Sequence, residues 1–221
     1  MSTALDGFTD GASATIKPLF KKTPSVQCET SLHLSVTCPN NDNKSKPVMV
    51  WIHGGGWVNG GVSELDYSML SAQGDVIIVA LSYRMGLAGF AFGNWALFDH
   101  LEGLRWVKDN ISSFGGDPNN VTIFGQSSGG WSVDALMSSP LSVGLFHRAI
   151  AQSGSLKTQF LKFGKISENP VYPHLMEKYK QDTMESLQEY MTSSLSVDDM
   201  NNLTVELFVQ PQFQTVLLGT E

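Results

Sequence analysis

The chain reads as an α/β protein, with a mostly parallel sheet covered by helices on both faces. Three observations predict this. Short unbroken apolar runs recur, as in Val48-Met49-Val50-Trp51-Ile52, Val76-Ile77-Ile78-Val79-Ala80-Leu81 and Val121-Thr122-Ile123-Phe124. Runs of this kind match strands buried on both faces, which are typical of parallel sheets. Between the second and third runs, Leu97, Leu101, Leu104, Val107 and Ile111 recur at helical spacing. Buried strands alternating with helices pack as a parallel sheet with crossover helices.

The elements follow in order. Residues 1–25 read as an irregular lead-in. Residues 26–36 alternate loosely and stop before Pro39, a strand pattern, and residues 40–46 form a polar turn. Residues 48–52 are the first buried strand. A helix is expected over 64–73, then a buried strand over 76–81. The amphipathic helix over 97–111 is ended by Gly115-Gly116-Asp117-Pro118, since glycine and proline stop helices. Residues 121–124 and 149–151 are the third and fourth buried strands. One or two helices are expected over 175–195, and the tail to Glu221 carries no clear signal.

Composition excludes several classes. Hydrophobic residues make up 42% and charged residues 16%, the balance of a globular chain. The net charge of −7 argues against a nucleic-acid partner, which needs clustered Lys and Arg. No apolar run reaches the length of a membrane span. The first ten residues lack a basic segment followed by an apolar one, so the expected location is cytoplasmic. Cys28 and Cys38 are too few for a disulfide framework and read as free thiols. Asn43, Asn110, Asn120 and Asn202 begin Asn-x-Ser/Thr sequons, which matter only in a secreted chain.

The chemistry centres on Gly125-Gln126-Ser127-Ser128-Gly129, directly after the strand at 121–124 and before a helix-like stretch. This strand–turn–helix setting makes a G-x-S-x-G match a nucleophile elbow, with Ser127 as the nucleophile. The turn strains the serine backbone, and small flanking residues let strand and helix close together. His53-Gly54-Gly55-Gly56-Trp57 follows the strand at 48–52. Acyl transfer develops negative charge on the former carbonyl oxygen, and each fixed N–H donor there is worth roughly 3 kcal/mol. The expected donors are the backbone N–H groups of Gly55, Gly56 and Ser128. His53 precedes the nucleophile and is expected to shape the glycine loop, because in this arrangement the base follows the acid and the serine.

Several ordered segments resemble the type-B carboxylesterase/cholinesterase family. They are Val50-Trp51-Ile52-His53-Gly54-Gly55-Gly56-Trp57, Ser82-Tyr83-Arg84-Met85-Gly86, Gly93-Asn94-Trp95-Ala96-Leu97-Phe98-Asp99 and the run from Phe114 to Gly130. Ser139-Pro140-Leu141-Ser142, Leu145-Phe146-His147-Arg148-Ala149-Ile150 and Gln152-Ser153-Gly154-Ser155 complete the set. The resemblance covers about residues 29–155. It implies an α/β-hydrolase fold, hydrolysis of a small-molecule carboxylic ester through an acyl-serine, and no metal or organic cofactor. It also suggests an ion pair between Arg84 and Asp117. Trp51 and Trp106 fit core positions. Trp57 fits either the core or a wall of the acyl pocket, and Asn59, Gly60 and Gly61 read as loop residues near the site entrance.

The chain departs from the family pattern in ways that bear on activity. Gln126 stands where relatives carry Glu, and Ser31 stands where secreted relatives carry a loop-forming Cys. The family's acid and histidine lie well over a hundred residues beyond its serine, and fewer than a hundred follow Ser127. No acid or base is assigned by motif. His147 is expected to pack before a strand, and His174 to lie in a loop where it stays open as a base. Glu177, Asp182, Glu185, Asp198 and Asp199 read as a solvated helical face. Residues 26–155 are therefore expected to form the N-terminal hydrolase core, with 156–221 a partial helical continuation and the C-terminal part of the fold missing. An open sheet edge beyond 149–151 leaves three readings: a fragment of a longer esterase, which is favoured, a short paralogue whose own tail caps the edge, or a chain whose edge a complementing polypeptide or an oligomer covers. The alternative function is a non-catalytic cholinesterase-like binding or adhesion domain, or an inactive fragment.

Overall fold

A sheet of five strands in the order β1-β3-β2-β4-β5 organises the molecule. The structure is a computed structural model that describes residues 32–41, 45–155 and 171–208. The strands are β1 (Leu34–Thr37), β2 (Lys46–Ile52), β3 (Ile77–Leu81), β4 (Gly116–Gln126) and β5 (Arg148–Gln152). β1 runs antiparallel to β3, and the remaining pairs are parallel. The helices are α1 (Ser68–Gly74), α2 (Gly86–Phe90), α3 (Trp95–Asn110), α4 (Ser128–Ser138), α5 (Val171–Tyr179), α6 (Met184–Ser194) and α7 (Val197–Phe208).

Alternation along the strands sorts side chains onto two faces. Val48, Val50 and Ile52 of β2, Ile77, Val79 and Leu81 of β3, and Val121 and Ile123 of β4 share one face. They pack with Leu101, Leu104 and Val107 of α3 and with Val133 and Leu136 of α4. Each such fully buried side chain contributes about 1.5–3 kcal/mol of transfer free energy. Trp51, Ile78, Ala80 and Phe124 point to the other face, against Val62 and Tyr67. A second apolar cluster joins α5, α6 and α7 through Val171, Tyr172, Leu175, Leu187, Met191, Leu203 and Leu207, with Leu87 and Phe92 packed against it.

Several boundaries differ from the sequence reading. α1 begins at Ser68, not at Glu64, because Asp66 accepts the Ser68 N–H at 2.9 Å and holds a turn ahead of the helix. β4 begins at Gly116, so Gly116-Asp117-Pro118 belong to a strand rather than to a stop. Gly115, at φ +83, and a single 3₁₀ turn over Ile111–Phe114 end the preceding helix. The tail is helical in part: α7 is closed at its start by Ser196 and Asp199, which bond reciprocally. Residues 26–31 of the expected first strand, and Cys28, lie outside the described residues.

Candidate active site

β2 and β4 are parallel neighbours, with Ile52 opposite Gly125. Their carboxyl ends therefore deliver two loops to one place, the position where open α/β sheets bind ligands. One loop is the glycine run after β2, and the other is the turn from β4 into α4.

At that turn Ser127 adopts φ +57 and ψ −124. This is the first central position of a type II′ turn, a region dominated by glycine and strained for a serine. The surroundings leave no room for relaxation. The Ser127 N–H donates to Gln152 O at 2.9 Å, and its carbonyl accepts from Trp131 N at 3.0 Å. A Cβ added to Gly129 would sit 2.1 Å from Ile52 O, and one added to Gly154 would sit 2.3 Å from Ser127 O. Glycine at these positions lets α4 and the residues after β5 close on the turn. Among the described residues, no histidine ring or carboxylate hydrogen-bonds the Ser127 side chain.

The glycine loop lies against this turn. A Cβ on Gly54 would meet Gln126 O at 2.7 Å and Ser127 Cβ at 3.4 Å. Gly55 and Gly56 take φ +102 and +65. A side chain on Gly55 would strike Asn59 O, 2.2 Å away, while the Gly55 carbonyl accepts from Val58 N and Asn59 N at 3.2 Å each. The Gly55 and Gly56 N–H groups take no backbone acceptor among the described residues. Ser128 is fully buried, and its N–H belongs to the first turn of α4, which has no intrahelical partner. Its hydroxyl accepts the Trp57 N–H at 3.3 Å.

His53 underpins the loop. Its ring stacks on Tyr83 with centroids 4.3 Å apart, and its Nδ1 lies 2.8 Å from Gly54 O. The Tyr83 hydroxyl donates to His53 O at 2.7 Å. Gly60 is buried beside the ring, where a Cβ would sit 2.1 Å from Nδ1. Burial lowers the His53 pKa to about 4, so the ring is neutral and donates through Nδ1. His100, fully buried edge-on to Tyr83, is lowered to about 3 by the same burial and by His53.

Other expected residues fall elsewhere. His147 precedes β5 and brackets Val121 by accepting its N–H at 3.2 Å and donating its own N–H to Val121 O at 2.8 Å. It is level with Val121 at the amino end of the strands, about 20 Å along the sheet from Ser127 at roughly 3.3 Å per residue. His174 lies on α5 rather than in a loop. Glu177, Asp182, Glu185 and Asp199 are exposed, and the side chain of Asp198 lies outside the description. Trp57 resolves toward the core: it packs against the main cluster, touches Phe90 and Trp131, and donates Nε1–H to Ser132 Oγ at 3.1 Å. Trp51 and Trp106 pack into the core as well.

The expected Arg84–Asp117 pair does not form. Arg84 grips Asp99 through Nε at 2.9 Å and Nη2 at 2.8 Å, and its own N–H reaches Asp99 at 2.9 Å. Asp99 projects from the first turns of α3 beside Arg84, whereas Asp117 is committed to the Asn119 N–H at 2.8 Å. Cys38 is a free, exposed thiol. Among the described residues, no group of three His, Cys, Asp or Glu side chains is spaced to hold a metal ion, and no helix is long and apolar enough to cross a membrane.

A family model described as "Carboxylesterase family" matches residues 8–207. Carboxylesterase 1D of Rattus norvegicus is 49% identical over 142 residues, covering 60% of this chain and 25% of that protein. Para-nitrobenzyl esterase of Bacillus subtilis is 47% identical over 143 residues, covering 60% and 29%. A solved PNB esterase superposes with a TM-score of 0.71 at 33% identity, covering 87% of this chain and 43% of its own. A Geobacillus stearothermophilus carboxylesterase gives 0.71 at 32% identity, covering 86% and 42%. The fold is thus that of the α/β-hydrolases, and the chain matches 25–29% of the length of these two curated relatives and 42–43% of the two solved structures.

Proposed function

This chain belongs to the carboxylesterase family, and from that premise we propose that Ser127 is the nucleophile of a site for hydrolysing small-molecule carboxylic esters. The observation that carries the reading is the II′ backbone of Ser127, held at the carboxyl end of β4 with the glycine loop packed against it. That conformation costs about 1–3 kcal/mol, and such strain concentrates at functional sites.

In the proposed reaction Ser127 Oγ attacks the ester carbonyl carbon as its proton passes to a base. The carbonyl π electrons move onto oxygen, and that oxyanion takes hydrogen bonds from the N–H groups of Gly55, Gly56 and Ser128. The α4 dipole, positive at Ser128, favours the same charge. Collapse expels the alkoxide, which is protonated as the alcohol, and leaves acyl-Ser127. Attack of water on the acyl carbon then releases the carboxylic acid and restores the hydroxyl. His53 does not fill the role of base, because its ring is buried and bonded to Gly54. A serine site lacking its base retains only about 10³–10⁴-fold over water.

The test is labelling of the full chain with an alkyl fluorophosphonate, followed by peptide mapping, beside turnover of p-nitrophenyl butyrate. The phosphonyl group is expected on Ser127, with labelling lost in Ser127→Ala. Labelling that persists in Ser127→Ala, or maps to another serine, overturns the assignment. Binding of an ester with no labelling at Ser127 supports the non-catalytic alternative instead.

A further inference from the structure

We propose that Thr204 of α7 is a positioning residue for the glycine loop, acting through α2; the inference deepens the reading of that loop as the oxyanion site and rests on it. α2 is only five residues long, too short to hold its own conformation in water. Both its ends are held by the C-terminal helices. Near its start, the Leu87 N–H donates to Thr204 Oγ1 at 3.1 Å. Just past its end, the Tyr172 hydroxyl of α5 donates to Ala91 O. The Thr204 hydroxyl donates its own proton to Met200 O at 2.7 Å, which directs a lone pair at Leu87. Thr204 is buried, and Leu203 and Leu207 of the same helix sit in the second apolar cluster.

The contact reaches the loop in one step. Gly86, at φ +55, lies so close to Thr204 that an added Cβ would sit 2.5 Å from Oγ1 and 2.7 Å from Cγ2. The Gly86 N–H donates at 2.6 Å to the carbonyl of Trp57, the residue that closes the glycine run. Trp57 is itself at φ +59, a conformation that needs external support, and its N–H goes to Ser128 Oγ at 3.3 Å. Its ring rests on Phe90 of α2 and Trp131 of α4. The path Thr204–Leu87–Gly86–Trp57 therefore ties a helix more than a hundred residues away to the amide groups of Gly55 and Gly56. If Thr204 loses its acceptor, α2 loses one anchor, and the carbonyl of Trp57 loses a fixed donor.

Thr204→Val keeps the shape and removes the acceptor, whereas Thr204→Ser keeps the hydroxyl. Amide hydrogen exchange over residues 53–60 and 121–127, together with kinact and KI for the phosphonate, is measured on the full chain. Thr204→Val is expected to exchange about fivefold faster over 53–60, as one lost hydrogen bond allows. Its exchange over 121–127 should be unchanged, and kinact should fall several-fold at unchanged KI, with Thr204→Ser restoring both. Unchanged exchange over 53–60, or equal acceleration in the serine variant, overturns the proposal. Faster exchange over 53–60 in a chain whose parent takes no phosphonate sustains the link but overturns the nucleophile reading. The unsubstituted chain adds a check that survives misfolding of the variant: the Leu87, Gly86 and Trp57 amides should share one opening rate across low urea, and separate rates refute the coupling.

Discussion

Gly129 offers a sharp test of how tightly the serine turn is packed, because two effects oppose each other there. Replacing a helical glycine with alanine ordinarily stabilises by about 1 kcal/mol. At Gly129 of α4, however, the new Cβ would lie 2.1 Å from Ile52 O, 2.8 Å from His53 O and 3.0 Å from His53 C. All three are backbone atoms of the β2 end, so no side chain can swing aside. Restoring a carbon–oxygen contact of about 3.3 Å requires α4 to move about 1.2 Å from the sheet. Overpacking of this severity reaches the upper end of the usual range, about 3 kcal/mol, and outweighs the propensity gain. The net cost of about 2 kcal/mol should lower Tm by about 4–8 °C in a chain of this size. Gly103 of α3 is the control: its added Cβ meets only the flexible Leu81 side chain, at 2.9–3.4 Å. Gly103→Ala should be near neutral, since propensity offsets a side-chain adjustment. Urea unfolding gives both values at constant slope. If Gly129→Ala falls within about 0.5 kcal/mol of the parent, the close approach of α4 to β2 is wrong.

Other perturbations probe the same structure. Ser127→Gly should raise stability by about 1 kcal/mol in urea titration, because glycine adopts the II′ conformation without strain, while Ser127→Ala should not. The buried imidazoles should make stability fall in acid. Their folded pKa values, about 4 for His53 and about 3 for His100, lie below the ordinary 6.5, so the unfolded chain binds more protons below that pH. Stability should be full above pH 6.5 and decline as pH falls toward 4, by up to about 1.4 kcal/mol per pH unit for each ring. His100→Leu should halve that slope in urea midpoints taken between pH 4.5 and 7.5. Arg84→Lys breaks the two-pronged grip on Asp99, and since Arg84 is 41% exposed it should cost only about 1 kcal/mol in thermal unfolding.

β2, β3 and the end of β4 were legible because they are buried on both faces and appear as unbroken apolar runs, whereas β5, read as a buried strand, is the sheet's edge and largely exposed. The strand–turn–helix setting of Ser127 was legible for the same reason, and glycines at 125 and 129 mark the close approach. Local hydrogen bonding was harder to read. The start of α1 depends on one Asp66 side chain, and the extension of β4 back to Gly116 depends on pairing with Lys46. α7 went unread because its apolar positions, Leu203 and Leu207, sit among Asn, Thr and Asp residues and gain meaning only against α5 and α6. The partner of Arg84 was misread as Asp117, because both acids lie in segments that carry the family resemblance and only the fold brings Asp99 alongside. Thr204 carried no sequence signal at all: its role comes from a contact across more than a hundred residues.

The central claim is that the serine turn and the glycine loop form one oxyanion-binding unit. A crystal structure of the phosphonylated chain tests it most directly. Phosphorus is expected on Ser127 Oγ, with the phosphonyl oxygen about 2.7–3.1 Å from the backbone nitrogens of Gly55, Gly56 and Ser128. A phosphonyl oxygen turned to solvent, with those three nitrogens bonded elsewhere, would contradict it.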